Sequence, residues 1–423
     1  MTRTHLTTTA LAALLGATAL GAQAQEVRFM CYSDGNECEV YDDLLNRFEE
    51  QNEGVTIEVD TVPYQAILDN LPVQLAAGTA PDMAKVTDLG GLAEYYLDLT
   101  PHVDEAYWEE NFGNTLDWYR GDRDEGIYGM HSQLTITGPY VNATLFEDAG
   151  VEMPGEDATW EDWAQAATEV RDATGVQFAM AMDRSGHRIA GPAISYGAEL
   201  FDAEGEPILV DEGFEDYVAQ FVEWHETGVM AQDVWGGAGG STMVDAAQEF
   251  INGELVFYYS GSWNTGRMEE QIGDFFDWQV VGNPCGPDGV CTGMPGGAGI
   301  VGFDQSDNAE LVAQIIDFLA QEEIYAEAAA RTLNIPAHTG VASEGVEYQD
   351  VSEPAAEALN AWGAMVPNLS PTAFAYQGYP NNRAMFNITV ERVSQAVVGE
   401  LTVDEAMQRM REDLDAAMAE MQQ

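Results

Sequence analysis

"EVRFMCYSDGNECEVYDDLLNRFEEQNEGVTIEVDTV", residues 26–62, decides the fold. Val27 and Phe29 alternate with Arg28 and Met30, which predicts a strand. Asp34, with Glu37 three residues on, predicts a capped helix start. Val40, Leu44, Leu45 and Phe48 then share one helical face, and Gly54 ends the helix. "VTIEVDTV", residues 55–62, alternates again as a strand. A second helix is expected over 64–77, with Ile67, Leu68, Leu71 and Leu75 as its buried stripe and Pro72 as a kink point. "APDMAKV", residues 80–86, opens a third strand. This alternation predicts a mostly parallel sheet covered by helices on both faces. Such sheets bind ligands beyond the carboxyl ends of their strands. The loop after the first strand, residues 33–37, is therefore the first candidate for a site.

The rest of the chain continues in kind. Residues 126–137 read as extended, and 159–175 as a helix capped by Thr159, with Asp162 at the capping-box position and Gly175 as the stop. A helix is expected over 215–227, a flexible glycine loop over 236–241, and a helix over 243–252. Residues 253–263 predict a strand ending in a tight turn. Residues 283–299, rich in Pro and Gly, read as loop. Helices follow at 311–319 and 324–331, and a largely helical tail from 353 is broken over 366–382.

There are 73 acidic residues against 15 basic ones, a formal net charge of −58, and Lys85 is the only lysine. That balance argues against nucleic acid, whose phosphates need clustered Lys and Arg, and against an anionic membrane surface. The acids are spread along the chain, as suits a solvated surface in a salty medium where screening limits self-repulsion. Residues 1–24 read as a signal peptide: Arg3, an apolar run over 10–20 too short to span a bilayer, and an A-x-A pattern at 22–24. No cysteine follows directly, so no lipid anchor is expected, and the exported chain would begin at Gln25. The remaining length of about 400 residues exceeds a single core and implies two lobes.

Cys31, Cys38, Cys285 and Cys291 form an even set, which favours disulfides in an exported protein. Three pairings exist, and the local one is expected. Zinc is disfavoured because the spacings are C-x6-C and C-x5-C with no histidine beside them. No redox C-x-x-C is present, and no metal or cofactor is expected. Catalytic signatures such as G-x-S-x-G, H-E-x-x-H and the P-loop are absent. A glycosidase needs two placed carboxylates, which so acidic a chain does not exclude. A secreted glycoside hydrolase therefore stands as the rival from another class.

Several segments, taken together and in order, resemble the family 1 extracellular solute-binding proteins of bacterial ABC importers. Residues 41–64 resemble the family's first helix and second strand, and 71–86 its helix ending in a Gly-x-x-Pro-Asp turn. "GPYVNATLFEDAGVEMP", residues 138–154, resembles the family's crossover, with Tyr140, Asn142, Leu145, Phe146, Ala149 and Gly150 matching. Residues 159–170 resemble the helix that follows. "FINGELVFYYSGSW", residues 250–263, matches at Phe250, Gly253, Gly261 and Trp263. Residues 296–303 and 333–338 resemble the return into the first lobe. Val141 and "LVFYY" depart from the usual residues, and the two cysteine pairs are not general to the family.

The resemblance implies a periplasmic, monomeric, non-enzymatic α/β protein of two lobes, each a mostly parallel sheet flanked by helices. It implies a first lobe of residues 25–136 and 297–335, a second of 137–280 and 336–423, and a hinge loop of 281–296, with crossings near 135–140, 281–297 and 335–340. The ligand would be a mono- or oligosaccharide such as an α-glucoside, passed to membrane permease subunits. A sugar needs planar polar groups for its hydroxyls and aromatic rings for its C–H faces. Trp263 stands at the family's binding-tryptophan position. Asp34, Asn36 and Glu37 in the first loop, Tyr64, Asp88, and Tyr376 with Arg383 in a late loop of the second lobe are the further candidates. Capping, core packing and ion pairing are their plainer alternatives. His187, beside Arg184 and Arg188, raises an anionic substituent on the ligand, although ion pairing with the many acids weighs more. A Cys31–Cys38 clip would hold the 33–37 loop near the mouth of the cleft.

Overall fold

The opening segment folds as strand, helix and strand: β1 (Gln25–Cys31), the helix Glu37–Gln51 and β2 (Val55–Thr61). The computed structural model describes residues 25–121, 123–236, 243–348 and 351–421. The expected signal peptide and most of the 236–241 loop lie outside the described residues. Beyond β2 come β3 (Met83–Val86), β4 (Met130–Asn142), β5 (Phe178–Met182), β6 (Leu255–Gly261), β7 (Trp278–Val280) and β8 (Pro295–Gly302).

The strands run in the order β2-β1-β3-β8-β4-β6-β5, with β7 on β4. β1 pairs in parallel with β2 and β3, and β5 with β6. β8 returns antiparallel between β3 and β4. β4 belongs to both halves: up to Ile136 it pairs with β8, and from Thr137 it pairs with β6. One long strand thus stitches the two lobes together where its partners change.

Each lobe has its own core. Phe29, Leu44, Trp108, Ile300 and Ile316 are sealed in the first; Tyr140, Trp160, Phe257 and Trp362 are sealed in the second. Each such side chain contributes about 1.5–3 kcal/mol relative to exposure. Four apolar positions read from the first helix, Val40, Leu44, Leu45 and Phe48, are all buried.

Several local expectations are corrected. Asp34 does not cap the first helix. Asn36 occupies that position without a side-chain capping bond, Ser33 Oγ accepts from the Cys38 N–H at 2.9 Å, and the Glu37 carboxylate folds back onto the N–H groups of Asp34 and Gly35. Residues 295–299, within the stretch read as loop, open β8, which runs to Gly302. Its glycines permit close strand approach: a Cβ on Gly297, at φ 148, would lie 2.1 Å from the Gln133 carbonyl oxygen. The helix expected over 243–252 is shortened to Ala247–Ile251, and the break over 366–382 contains the helix Pro371–Gly378.

The region after Pro336 also packs differently from the sequence reading. His338 Nε2 meets the Tyr107 hydroxyl at 2.8 Å, its Nδ1 accepts from the Val341 N–H, and Val341 is buried in the first core. The helix Thr339–Glu344 therefore stays with the first lobe, while Glu353–Met365 packs on β7 of the second. Both cysteine pairs are disulfides, Cys31–Cys38 and Cys285–Cys291.

Candidate ligand-binding cleft

The change of partners along β4 leaves a cleft between the lobes with an empty volume of ≈ 850 Å³, its open mouth included. The first lobe lines it with Tyr32 and Asp34 from the end of β1, Tyr64 and Leu68 from the helix Tyr64–Ala77, and Thr87 after β3. These are strand ends and the helix starts that follow them, where an α/β sheet presents its ligands. The crossing strands contribute Gln133, Thr135, Gly296 and Gly297. The second lobe supplies the start of the helix Gly186–Ser195, Trp263 after β6, and one face of the helix Asn382–Val397.

Trp263 follows Gly261, where a Cβ would stand 2.1 Å from the indole ring. Glycine there lets the ring fold back over the strand end. The Arg188 guanidinium lies against the indole, 4.1 Å from the ring centroid, a cation–π contact. Arg188 also donates to His187 Nδ1 at 3.3 Å and sits 3.9 Å from Asp183 Oδ2. Asp183 is fully buried and accepts from the hydroxyls of Tyr258 and Ser260 and from the Ala246 N–H. Burial raises its pKa to about 6, against the pull of Arg188.

His187 Nε2 lies 2.9 Å from the Pro295 carbonyl oxygen. That acceptor requires the proton on Nε2 and leaves Nδ1 free to accept from Arg188. Burial first, then the neighbouring arginines Arg188 and Arg383, lower its pKa to about 3, so the ring is neutral. It is a link from the second lobe to a crossing strand.

On the opposite wall Tyr32 and Tyr64 pack at 4.8 Å between ring centroids, and the Tyr64 hydroxyl shares a hydrogen bond with Thr87 Oγ1. Arg383 donates to the same Thr87 oxygen at 3.2 Å. The two walls therefore already touch through Thr87. Lys85 is fully buried, 4.3 Å over the Tyr32 ring and 3.8 Å from Glu37 Oε1. Asp34 is half-buried, and burial, then repulsion from Glu37, raises its pKa to about 7.

Of the residues proposed from sequence, Asp34, Tyr64, His187, Trp263 and Arg383 line one cleft. Asp88 lines an adjoining cavity that shares Leu68, Arg383 and Asn387 with it. Asn36 instead donates to the Arg331 carbonyl oxygen, and Glu37 clamps its own loop. Tyr376 is neither in a loop nor at the cleft. It sits in the helix Pro371–Gly378, 1% exposed, against Phe201 and Phe386. Arg383 lies in the first turn of the helix Asn382–Val397, so the expected late loop is helical there too.

The sequence reading missed Tyr32, Thr87, Gln377 and the lining residues Phe386, Asn387 and Val390. The last three stand three, four and seven residues after Arg383, the spacing of one helical face. That signal was present once the segment is taken as helix. Among the described residues no group of three or more His, Cys, Asp or Glu is placed to hold a metal.

The sequence model of the bacterial extracellular solute-binding proteins matches residues 43–369. The chain belongs to that family. This solute-binding protein is 22% identical over 292 residues to a putative binding protein of Brucella abortus, covering 67% of this chain and 69% of that one. It is 25% identical over 195 residues to the arabinooligosaccharide-binding protein of Bacillus subtilis, covering 44% of this chain and 43% of that one. Its fold matches an ABC substrate-binding protein of Listeria monocytogenes in complex with cycloalternan, with TM-score 0.77, 18% identity, and coverage of 94% and 100%. It also matches a maltose-bound protein of T. maritima, with TM-score 0.76, 18% identity, and coverage of 93% and 100%. The family is one of binding proteins and not of enzymes.

Proposed function

We propose that this solute-binding protein captures a carbohydrate in the inter-lobe cleft and delivers it to the membrane permease subunits of an ABC importer, in the periplasm. The observation that carries this reading is the pairing of Trp263 with hydroxyl, amide and guanidinium groups from both lobes around one space. An aromatic ring serves the C–H face of a sugar, while Thr87, Gln133, Gln377 and Asn387 serve its hydroxyls. The adjoining cavity at Asp88, which shares Leu68, Arg383 and Asn387 with the cleft, extends it toward a second ring. The Listeria and T. maritima neighbours, bound to cycloalternan and maltose, make α-linked glucosides the first ligands to try.

Binding of a ligand that touches both walls favours the closed arrangement by its differential affinity for that state. The test is a thermal-shift screen of the purified chain against neutral mono- and oligosaccharides, since a ligand of the folded state raises the melting point. A concentration-dependent rise with at least one sugar, with the sugar recovered intact, is expected. No shift from any carbohydrate, or hydrolysis of the sugar, contradicts the proposal.

A further inference from the structure

We infer that the carbohydrate taken by this cleft carries an oxyanion, a carboxylate, sulfonate or phosphate, received by Arg188 and Arg383. This rests on the reading of the cleft as a sugar site. The first observation is how differently these two arginines are used. Several guanidiniums elsewhere close on carboxylates: Arg47 on Glu327 at 2.5 Å, Arg331 on Asp43 at 2.6 Å, Arg392 on Asp413 at 2.6 Å. In a chain with 73 acids, such partners are easily found.

Arg188 is 8% exposed, yet its nearest carboxylate oxygen is 3.9 Å away on Asp183, which three other donors already occupy. Its remaining contacts are a ring nitrogen and the indole face, and among the described residues its Nε has no hydrogen-bond partner. Arg383 donates to Thr87 and also meets the Tyr64 hydroxyl and the field of Asp88, yet its Nε likewise has no hydrogen-bond partner there. An arginine offers five donors in a planar fork suited to a carboxylate or phosphate. Two such forks, each largely unused, border one space.

The second observation is the charge of the lining. His187 is neutral and adds no cation. Asp34 is the one acid among the described lining residues, and its raised pKa keeps part of it protonated near pH 7. The lining thus carries two guanidiniums against one carboxyl, with Asp183 behind Arg188 and Asp88 beside Arg383 just outside it. The distant acids are largely screened beyond the Debye length, about 10 Å at 0.1 M salt, whereas contacts in the cleft are not.

The experiment compares methyl α-glucoside with its 6-carboxylate (the glucuronide), 6-sulfonate and 6-phosphate counterparts by calorimetry on the mature chain. At least one charged ligand is expected to bind about tenfold or more tightly than the neutral parent, the scale of one charge-assisted contact. The three arms separate the oxyanion classes. Arg188→Gln and Arg383→Gln should each shrink the charged-to-neutral ratio, and Arg188→Lys, which keeps the charge, should retain more of it than Arg188→Gln. The ratio is read within one variant, so partial loss of folded protein does not mimic the effect. Neutral ligand binding as tightly as all three charged ones, or variants that leave the ratio unchanged, overturns the inference and leaves sugar capture standing. If none of these and no neutral sugar binds, capture itself fails.

Discussion

Trp263 and Asp34 show how single side chains set the cleft. Gly261 lets the Trp263 ring lie against the strand end; a Cβ there would also sit 2.6 Å from the Ile136 carbonyl oxygen. Gly261→Ala should therefore cost about 1–3 kcal/mol in urea unfolding, the range for overpacking. An unchanged midpoint would show that the ring is free to move away. Asp34 has an ordinary pKa of 3.8 and is raised to about 7 in the fold. The folded state holds this proton where the unfolded chain has lost it, so Asp34's stabilising contribution is full below about pH 4 and is lost as the pH rises through 7. His187 and His131, lowered from 6.5 to about 3 and about 4 by burial, act oppositely, gaining stability as the pH climbs toward 6.5. The clean test is the difference between Asp34→Asn and wild type. The variant should gain on wild type in melting temperature from pH 4 to pH 8, and parallel curves would contradict the burial of Asp34. At this scale the sequence was partly legible. Trp263 and Arg383 stood out by the resemblance, the one at a strand end and the other in a late stretch of the second lobe. Tyr376 looked equally suitable, but its ring serves the core, because which face of a short helix points inward is set by packing that no local pattern reveals.

Elements were easier to read where their ends carry chemistry. The helix Trp160–Thr174 shows the whole predicted apparatus: Thr159 Oγ accepts from the Asp162 N–H, Asp162 bonds back, and Gly175 stops it at φ 76. Thr159→Ala should cost about 1 kcal/mol by chemical denaturation, and no measurable loss would show that the cap is redundant. The start of β8 was not legible, because Pro295–Gly299, a proline, three glycines and an alanine in a strand paired on both sides, has neither alternation nor β-branched bulk to announce a strand. The 33–37 loop lies between. Its disulfide was expected from cysteine count and compartment, but its internal clamp, Glu37 on the N–H groups of Asp34 and Gly35, depends on the loop's three-dimensional turn. Removing the clip as Cys31→Ala with Cys38→Ala should cost about 2 kcal/mol, as expected for so short a loop. It should also weaken ligand binding through the entropy of reordering Asp34. Affinity unchanged by the double variant would make the clip purely structural.

The whole molecule combines two cores, one shared strand and a surface of net charge −58. We propose that self-repulsion at that charge is relieved by salt, so the melting temperature should rise between 0.05 and about 1 M NaCl as the Debye length falls from over 10 Å to about 3 Å. A flat response would mean that the acids are already neutralised locally. The two-lobed plan was legible from length and from the order of the family segments, because both are properties of the whole chain. The state of the cleft was not, because Thr87 meeting Arg383 is a contact across 296 residues. Everything proposed for this molecule depends on a sugar binding between the lobes against Trp263. The most direct measurement is calorimetric titration of wild type and Trp263→Ala with the sugar that gives the largest thermal shift. Wild type should bind saturably, one to one, and Trp263→Ala should lose about tenfold or more in affinity, as for an aromatic anchor. Equal affinity in the two proteins, with both folded, would contradict it.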